Sequence, residues 1–312
     1  MARLGGVSAL VALCVPALAH AHDPAVAPGI RDWTPTLWLW LGLAVCAALY
    51  SRGYFVLRAR LGAPLREGRR RATYFALALG SLLVALLSPL DAWSDRLFAA
   101  HMVQHELLML VAAPLLVLSR PLELYFWALP HGARARVLEV IRTRPFNWSF
   151  RALTAPGVAL LLHGAVRWLW HIPVLFEACL HDELLHGIQH ASFFLTALAF
   201  WWALMQGMHG RAGYGVAVVF VFATMLHTGA LGGLMAFARR PWYPDQTQSV
   251  GVSALADQQL GGLIMWIVAG TWLTGLSLAL FVAWLGLASR RRSVSARQTA
   301  SDDVARSPVT AG

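Results

Sequence analysis

Seven long apolar segments occupy most of the chain and constrain its fold more than any other feature. Each approaches the ~20 residues that a helix needs to cross ~30 Å of hydrocarbon. Helices are required because backbone groups that face lipid must find hydrogen-bond partners within their own segment. We therefore predict an all-α fold, a polytopic membrane helix bundle with seven transmembrane helices. The segments are 33–57, 72–90, 98–119, 152–170, 184–206, 214–238 and 260–287.

The composition excludes a water-soluble catalytic domain. Hydrophobic residues make up 58% of the 312 residues and charged residues 13%, whereas soluble proteins carry about 25% charged residues. The net charge of +10 arises from arginines between the apolar segments, the distribution that the positive-inside rule describes. We therefore expect contact with membrane lipid and no nucleic-acid partner.

The first residues have the pattern of a cleavable signal peptide. Arg3 precedes an apolar run over 7–18, and small residues permit cleavage after Ala19 or Ala21. An uncleaved anchor is the alternative, but the apolar run is short for a span. Cleavage would make His20 or His22 the first residue. The α-amine and imidazole of such a histidine could chelate Cu(II), or the position of the histidine could be an accident of the cleavage site.

Arginine clusters indicate the orientation of the chain, because arginine is enriched in cytoplasmic loops. The clusters at 58–71, 134–144 and 290–292 follow the first, third and seventh segments, which indicates an outside amino terminus and a cytoplasmic carboxyl terminus. We predict a signal peptide over 1–21, a seven-helix membrane domain over 22–288 and a disordered cytoplasmic tail over 289–312, in a bacterial plasma (inner) membrane. The stretch 121–145 is either an interfacial segment on the cytoplasmic surface or a solvated loop.

Two pairs of histidines lie at one depth of the predicted bundle, near its outer surface. His101 and His105 open the third segment as HMVQH, and His186 and His190 lie near the outer end of the fifth as HGIQH. A four-residue spacing places both rings of a pair on one helix face. Two facing helices could offer up to four imidazoles to Cu, Zn, Fe or Ni. The alternative is that these histidines bridge helices by hydrogen bonds, worth ~0.6 kcal/mol each in membranes.

Further polar and sulfur-containing side chains lie near the same end. His171 ends the fourth segment, and thioethers would favour Cu(I) where they are not merely packing. Carboxylates and amides could accept the second ring N–H of a ligating imidazole, although Asp91 is better placed to cap the third helix. The additional candidate ligands are His171, Met102 and Met109, and the candidate imidazole partners are Glu106, Asp257, Gln258 and Gln259.

Three stretches carry a family resemblance: SPLDAWSDRLFAAHMVQHELLMLVAAPLLVLSRP at 88–121, RWLWHIP at 167–173 and ADQQLGGLIMW at 256–266. Together they resemble the CtaG family of polytopic cytochrome c oxidase assembly factors. The resemblance implies a membrane protein needed to mature a haem-copper terminal oxidase, at the stage where copper enters the enzyme. The family motif falls on His101, Met102, Gln104 and His105, on His171, and on residues 257–259.

These observations lead to one main hypothesis and several alternatives. We expect an assembly factor without catalytic turnover that binds copper at the outer side and assists its delivery to cytochrome c oxidase subunits, with a periplasmic copper chaperone as a further partner. The alternatives are a haem-binding membrane cytochrome, with axial histidines from two helices, and a copper permease. A di-iron oxygenase ranks last, because we expect its histidine boxes at the cytoplasmic side.

Overall fold

The computed structural model describes residues 37–61, 66–207, 210–246 and 251–286. Every regular element within these ranges is a helix, which confirms the all-α prediction for this part of the chain. The predicted signal peptide and tail lie outside the described residues, as do His20 and His22.

Twelve helices follow one another along the described ranges. They are α1 (Leu37–Leu61), α2 (Arg66–Leu87), α3 (Pro89–Ser94), α4 (Phe98–Ser119), α5 (Pro121–Ala128), α6 (His131–Ile141), α7 (Arg144–Leu153), α8 (Pro156–Trp170), α9 (Pro173–His181), α10 (Glu183–Gly207), α11 (Gly210–Ala236) and α12 (Ala254–Gly286). Helices α4 and α12 each contain a wider π-helical stretch, at Leu107–Ala112 and Ile264–Val268. Such π turns are frequent at functional sites.

Six of these helices are long and apolar enough to cross a membrane, namely α1, α2, α4, α10, α11 and α12. The chain is therefore a multi-pass membrane protein. Within the described residues, the count of spans reaches seven only if α7 and α8, which meet at an angle of 66°, are taken as one broken span.

The fourth predicted segment, 152–170, corresponds to α8 from Pro156 onward, and its first residues lie before a bend between α7 and α8. Pro156 starts α8, and the preceding Ala155 is extended, with φ −62° and ψ 131°. A proline disfavours the helical conformation in the residue before it, so α7 cannot continue through this point. The apolar composition is continuous through this region and does not report the break, although Pro156 marks where one helix ends and the next begins.

Helix α4 lies at the centre of the bundle. Of its most apolar window 61% is buried, against 17% for α1. Met109 of α4 packs in one core cluster with Phe193 and Phe200 of α10 and Phe220 of α11. The indole Nε1 of Trp201 donates to the carbonyl oxygen of Met109 at 2.8 Å. Since a π turn disturbs the ordinary helical ladder, this side chain provides a hydrogen bond within the widened part of α4.

The start of α12 holds the start of α4. The carboxylate of Asp257 accepts hydrogen bonds from the backbone amides of Phe98, at 2.6 Å, and Ala99, at 3.1 Å. The residue that caps the third predicted span is therefore Asp257 and not Asp91. One turn further, a Cβ at Gly262 would lie 2.7 Å from the carbonyl oxygen of Gly232, so these two glycines allow close contact between α11 and α12.

Helices α1 and α5 meet at Gly53. A Cβ added at Gly53 would overlap the carbonyl oxygen of Leu124, so a larger residue forces the two backbones apart. Next to this contact, the ring of Tyr50 stacks on Phe75 of α2 with centroids 3.7 Å apart. Gly53 thus joins three helices on the side of the bundle away from the histidines.

We predict that Gly53→Ala lowers the free energy of unfolding by about 1–3 kcal/mol, the usual cost of overpacking a close contact. The matched control is Gly80→Ala in α2, where an added Cβ meets nothing within 4 Å and alanine favours the helix by up to ~1 kcal/mol. Thermal unfolding in detergent measures both. Equal midpoints for the two variants would contradict the packing described at Gly53.

Candidate metal centre

Four imidazoles from α4 and α10 converge in the interior of the bundle. Within each helix, the ring centroids are 4.2 Å apart for His101 and His105 and 4.3 Å apart for His186 and His190. Across the two helices, His101 lies 5.3 Å from His186, and His105 lies 5.1 Å from His190. The structure therefore brings together the two pairs that the sequence analysis placed at one depth. We call these four residues the histidine cluster.

Three members of the histidine cluster are close enough to share one ion. His101, His186 and His190 each offer one ring nitrogen, and these nitrogens lie within 4.8 Å of one another. Ligands ~2.0–2.1 Å from a common ion lie roughly 3.3–3.6 Å apart, so small ring rotations complete the site. His101 is buried, whereas His186 and His190 are half-buried. The α10 side of the cluster is therefore less deeply buried than the α4 side.

The ring nitrogens of the cluster lack ordinary hydrogen-bond partners among the described residues. This holds for both nitrogens of His101 and His105 and for Nε2 of His186 and His190. Gln189 and the carbonyl of Ser94 lie close to the ring of His101, but neither meets the geometry of an ordinary hydrogen bond with it. A buried polar atom without a partner costs about 1–3 kcal/mol. Bridging hydrogen bonds therefore do not account for His101 and His105, whereas ligation of a metal ion would satisfy them.

His171 and Met102 lie beside the cluster. The ring centroid of His171 is 6.5 Å from that of His105, and its Nε2 faces the sulfur of Met102 at 3.5 Å. Burial lowers the pKa of His171 to about 4, so its ring is neutral at physiological pH. Tyr243 donates its hydroxyl proton to the backbone carbonyl of His171 at 2.6 Å, which anchors this end of α8.

A buried ion pair lies next to the cluster. Arg167, 1% exposed, donates to Glu106 Oε1 at 3.0 Å and to the sulfur of Met109 at 3.3 Å. Glu106 was predicted to accept an imidazole N–H, but the bond that the structure shows is to Arg167. Met109 was predicted as a soft ligand, but its sulfur faces the guanidinium. The pair is formally neutral and adds no net charge to the cluster.

The predicted partners in α12 bind backbone groups. Gln258 Oε1 accepts from the amide of Trp242, and Gln259 Nε2 donates to the carbonyl of Ala238 at 3.1 Å. Together with Asp257, they connect the start of α12 to α4 and to the chain after α11. These bonds give the residues a role in positioning α4, and none of them reaches an imidazole.

Two buried polar residues, Gln189 and Arg167, were not predicted as part of the site. Gln189 is fully buried and occupies in HGIQH the position that Gln104 occupies in HMVQH, so the repeated pattern could have revealed it. Arg167 was noted only as part of a motif, although an arginine within an apolar segment requires a counter-charge, and that rule points to Glu106.

The fold and site together define a polytopic membrane protein with a buried histidine cluster near one end of its helix bundle. Residues 48–286 match the family described as cytochrome c oxidase caa3 assembly factor (Caa3_CtaG), and the chain belongs to that family. The resemblance drawn from the three sequence stretches is thereby confirmed.

The chain is also similar to two curated mycobacterial proteins, both described as uncharacterised. One is from Mycobacterium bovis and one from Mycobacterium tuberculosis, and each is 25% identical over 298 aligned residues, which cover 89% of this chain and 42% of the relative. The chain thus spans less than half the length of these relatives. No solved structure matches it.

Asp91 connects the cluster helix to the preceding turn and makes stability depend on pH. Gln104 Nε2 donates to Asp91 Oδ1 and to the carbonyl of Ala85, both at 2.8 Å. Burial and the neighbouring Asp95 raise the pKa of Asp91 to about 7, although the Gln104 bond lowers it. Since an unfolded aspartate titrates near ~3.9, the folded state binds more protons between these values.

We therefore predict that the metal-free protein loses stability as the pH rises from about 4 to about 7, since the folded state must release a proton that the unfolded state has already lost. Asp91→Asn keeps an acceptor for Gln104 and removes this titration. Its thermal midpoint should change less with pH than that of the wild type, and should exceed it at pH 8. Parallel pH profiles would show that Asp91 does not contribute.

Proposed function

We propose that the protein binds copper through His101, His186 and His190 at the outer side of the membrane and assists its delivery to a cytochrome c oxidase. One observation carries the proposal: three imidazole nitrogens from two helices lie within 4.8 Å of one another. Three ligands leave a coordination position free, which exchange with a recipient requires. Membership of the oxidase assembly family supports an oxidase subunit as that recipient.

The charge of the site favours monovalent copper. All candidate ligands are neutral, and the ion pair of Arg167 and Glu106 is balanced. The Born cost of burying an ion rises with the square of its charge, so Cu(I) costs much less here than a divalent ion. Imidazole is a ligand for copper, zinc, iron and nickel alike. The site therefore selects Cu(I) over the divalent ions by its low net charge and not by its ligand type.

The exposure of the ligands supports delivery. His186 and His190 are half-buried, whereas His101 is buried. A recipient that approaches α10 reaches His186 and His190 first, so these two bonds are the ones that exchange. This arrangement fits a factor that holds copper and releases it without catalytic turnover.

We predict that His101→Ala and His190→Ala each weaken Cu(I) binding at the histidine cluster by more than ~100-fold, which exceeds the usual cost of removing only an outer partner. His181→Ala is the matched control, because His181 is an exposed histidine at the end of α9, close in sequence to the cluster. The measurement is a Cu(I) titration of the purified protein against a competing chelator. In cells, the two cluster variants should yield oxidase that is deficient in copper. Unchanged copper binding by both variants would overturn the proposed site.

A further inference from the structure

His171 and Met102 present two electron-pair donors to each other. Nδ1 of His171 lies 2.6 Å from the carbonyl oxygen of Arg167, and a carbonyl only accepts, so we assign the ring proton to Nδ1. In the neutral ring, Nε2 then carries a lone pair. That lone pair faces the sulfur of Met102 at 3.5 Å, and a thioether has no proton to donate.

Both donors are withdrawn from solvent. Met102 is 0% exposed and His171 is 3% exposed. Two acceptors in contact do not stabilise each other, whereas a soft cation between them would bind both. An ion ~2.0 Å from the nitrogen and ~2.3 Å from the sulfur would have an N–metal–S angle of roughly 105–110° at the observed separation of 3.5 Å. This angle leaves room for a third ligand.

We propose that His171 Nε2 and Met102 Sδ form a second copper position, with mixed nitrogen and sulfur ligands, that takes Cu(I). It is distinct from the site of His101, His186 and His190. It rests on the proposed function, because it assumes that the histidine cluster handles copper. The thioether makes this position selective for Cu(I) over Zn(II).

His105 links the two positions. Its ring centroid lies 5.1 Å from that of His190 and 6.5 Å from that of His171, and neither of its nitrogens has a hydrogen-bond partner within the described chain. His105 therefore supplies the third ligand to either position. Copper moves between them by ligand exchange: a bond to His190 breaks as a bond to Met102 or His171 forms. The ion remains Cu(I), so no reductant or oxidant is involved.

The family motif in α12 holds Met102 in place. A Cβ at Gly261 would collide with the ring of Phe98 and lie 3.1 Å from Cγ of Met102, so the missing side chain of this glycine leaves room for both residues. The hydroxyl of Tyr243 donates a hydrogen bond to the backbone carbonyl of His171 and so fixes the position of this residue. Both ligands are therefore positioned by residues outside the helices that carry them.

The test is an anaerobic Cu(I) titration of the full chain in detergent, with X-ray absorption at the copper edge. We expect the wild type to bind about two Cu(I), with sulfur in the average coordination shell, and Met102→Leu to bind about one, with nitrogen ligands alone. The matched control is Met235→Leu. Met235 is a buried methionine of the same apolar cluster as Met102, and the change should leave both copper ions bound.

A third variant separates this proposal from the function on which it rests. His190→Ala should lose copper from the histidine cluster and retain sulfur-ligated copper at the second position. A wild type that binds one copper with nitrogen ligands only, unaffected by Met102→Leu, overturns the second position and leaves the histidine cluster intact. A wild type that binds no copper overturns both. Equal loss in Met102→Leu and Met235→Leu also overturns the second position, since it assigns the effect to packing.

Discussion

The carboxylate of Asp257 is the interaction on which the histidine cluster depends. The first amides of a helix have no partner within the helix, and those of Phe98 and Ala99 are satisfied by this one side chain. A hydrogen bond to a charged group contributes about 1.5–3 kcal/mol. Because Asp257 belongs to α12, the depth of α4 in the bundle is set from a neighbouring helix, and His101 and His105 follow within two turns.

The chemistry of the site follows from its lack of charge. Four imidazoles and a thioether offer electron pairs, and none of them carries a charge. The adjacent ion pair is balanced, so it adds no net charge. Such a site favours a soft, monovalent cation over a hard or divalent one. The histidines on α10 are half-buried and those on α4 are buried, so under the proposed function the α10 ligands are the ones that exchange.

Local patterns predicted the elements and the histidine pairs, whereas contacts between distant segments were beyond them. The spacing of His101 and His105 is a property of one helix, and the depth of each pair follows from its position within an apolar run. The roles of Asp257 and Glu106 depend on partners 159 and 61 residues away. No periodicity encodes such pairings. The break at Pro156 was accessible in principle, because the restriction on Ala155 is local, but the apolar run masked it.

The ion pair of Arg167 and Glu106 bears on where a bound cation can go. Arg167 directs one amino group to Glu106 and the other to Met109, one turn further along α4. His163 lies one turn before Arg167 in α8, and its ring Nδ1 is 3.2 Å from the hydroxyl of Thr196. A metal ion that approached Met109 would meet a permanent positive charge and a thioether already in contact with it. The buried guanidinium therefore keeps cations away from the Met109 sulfur.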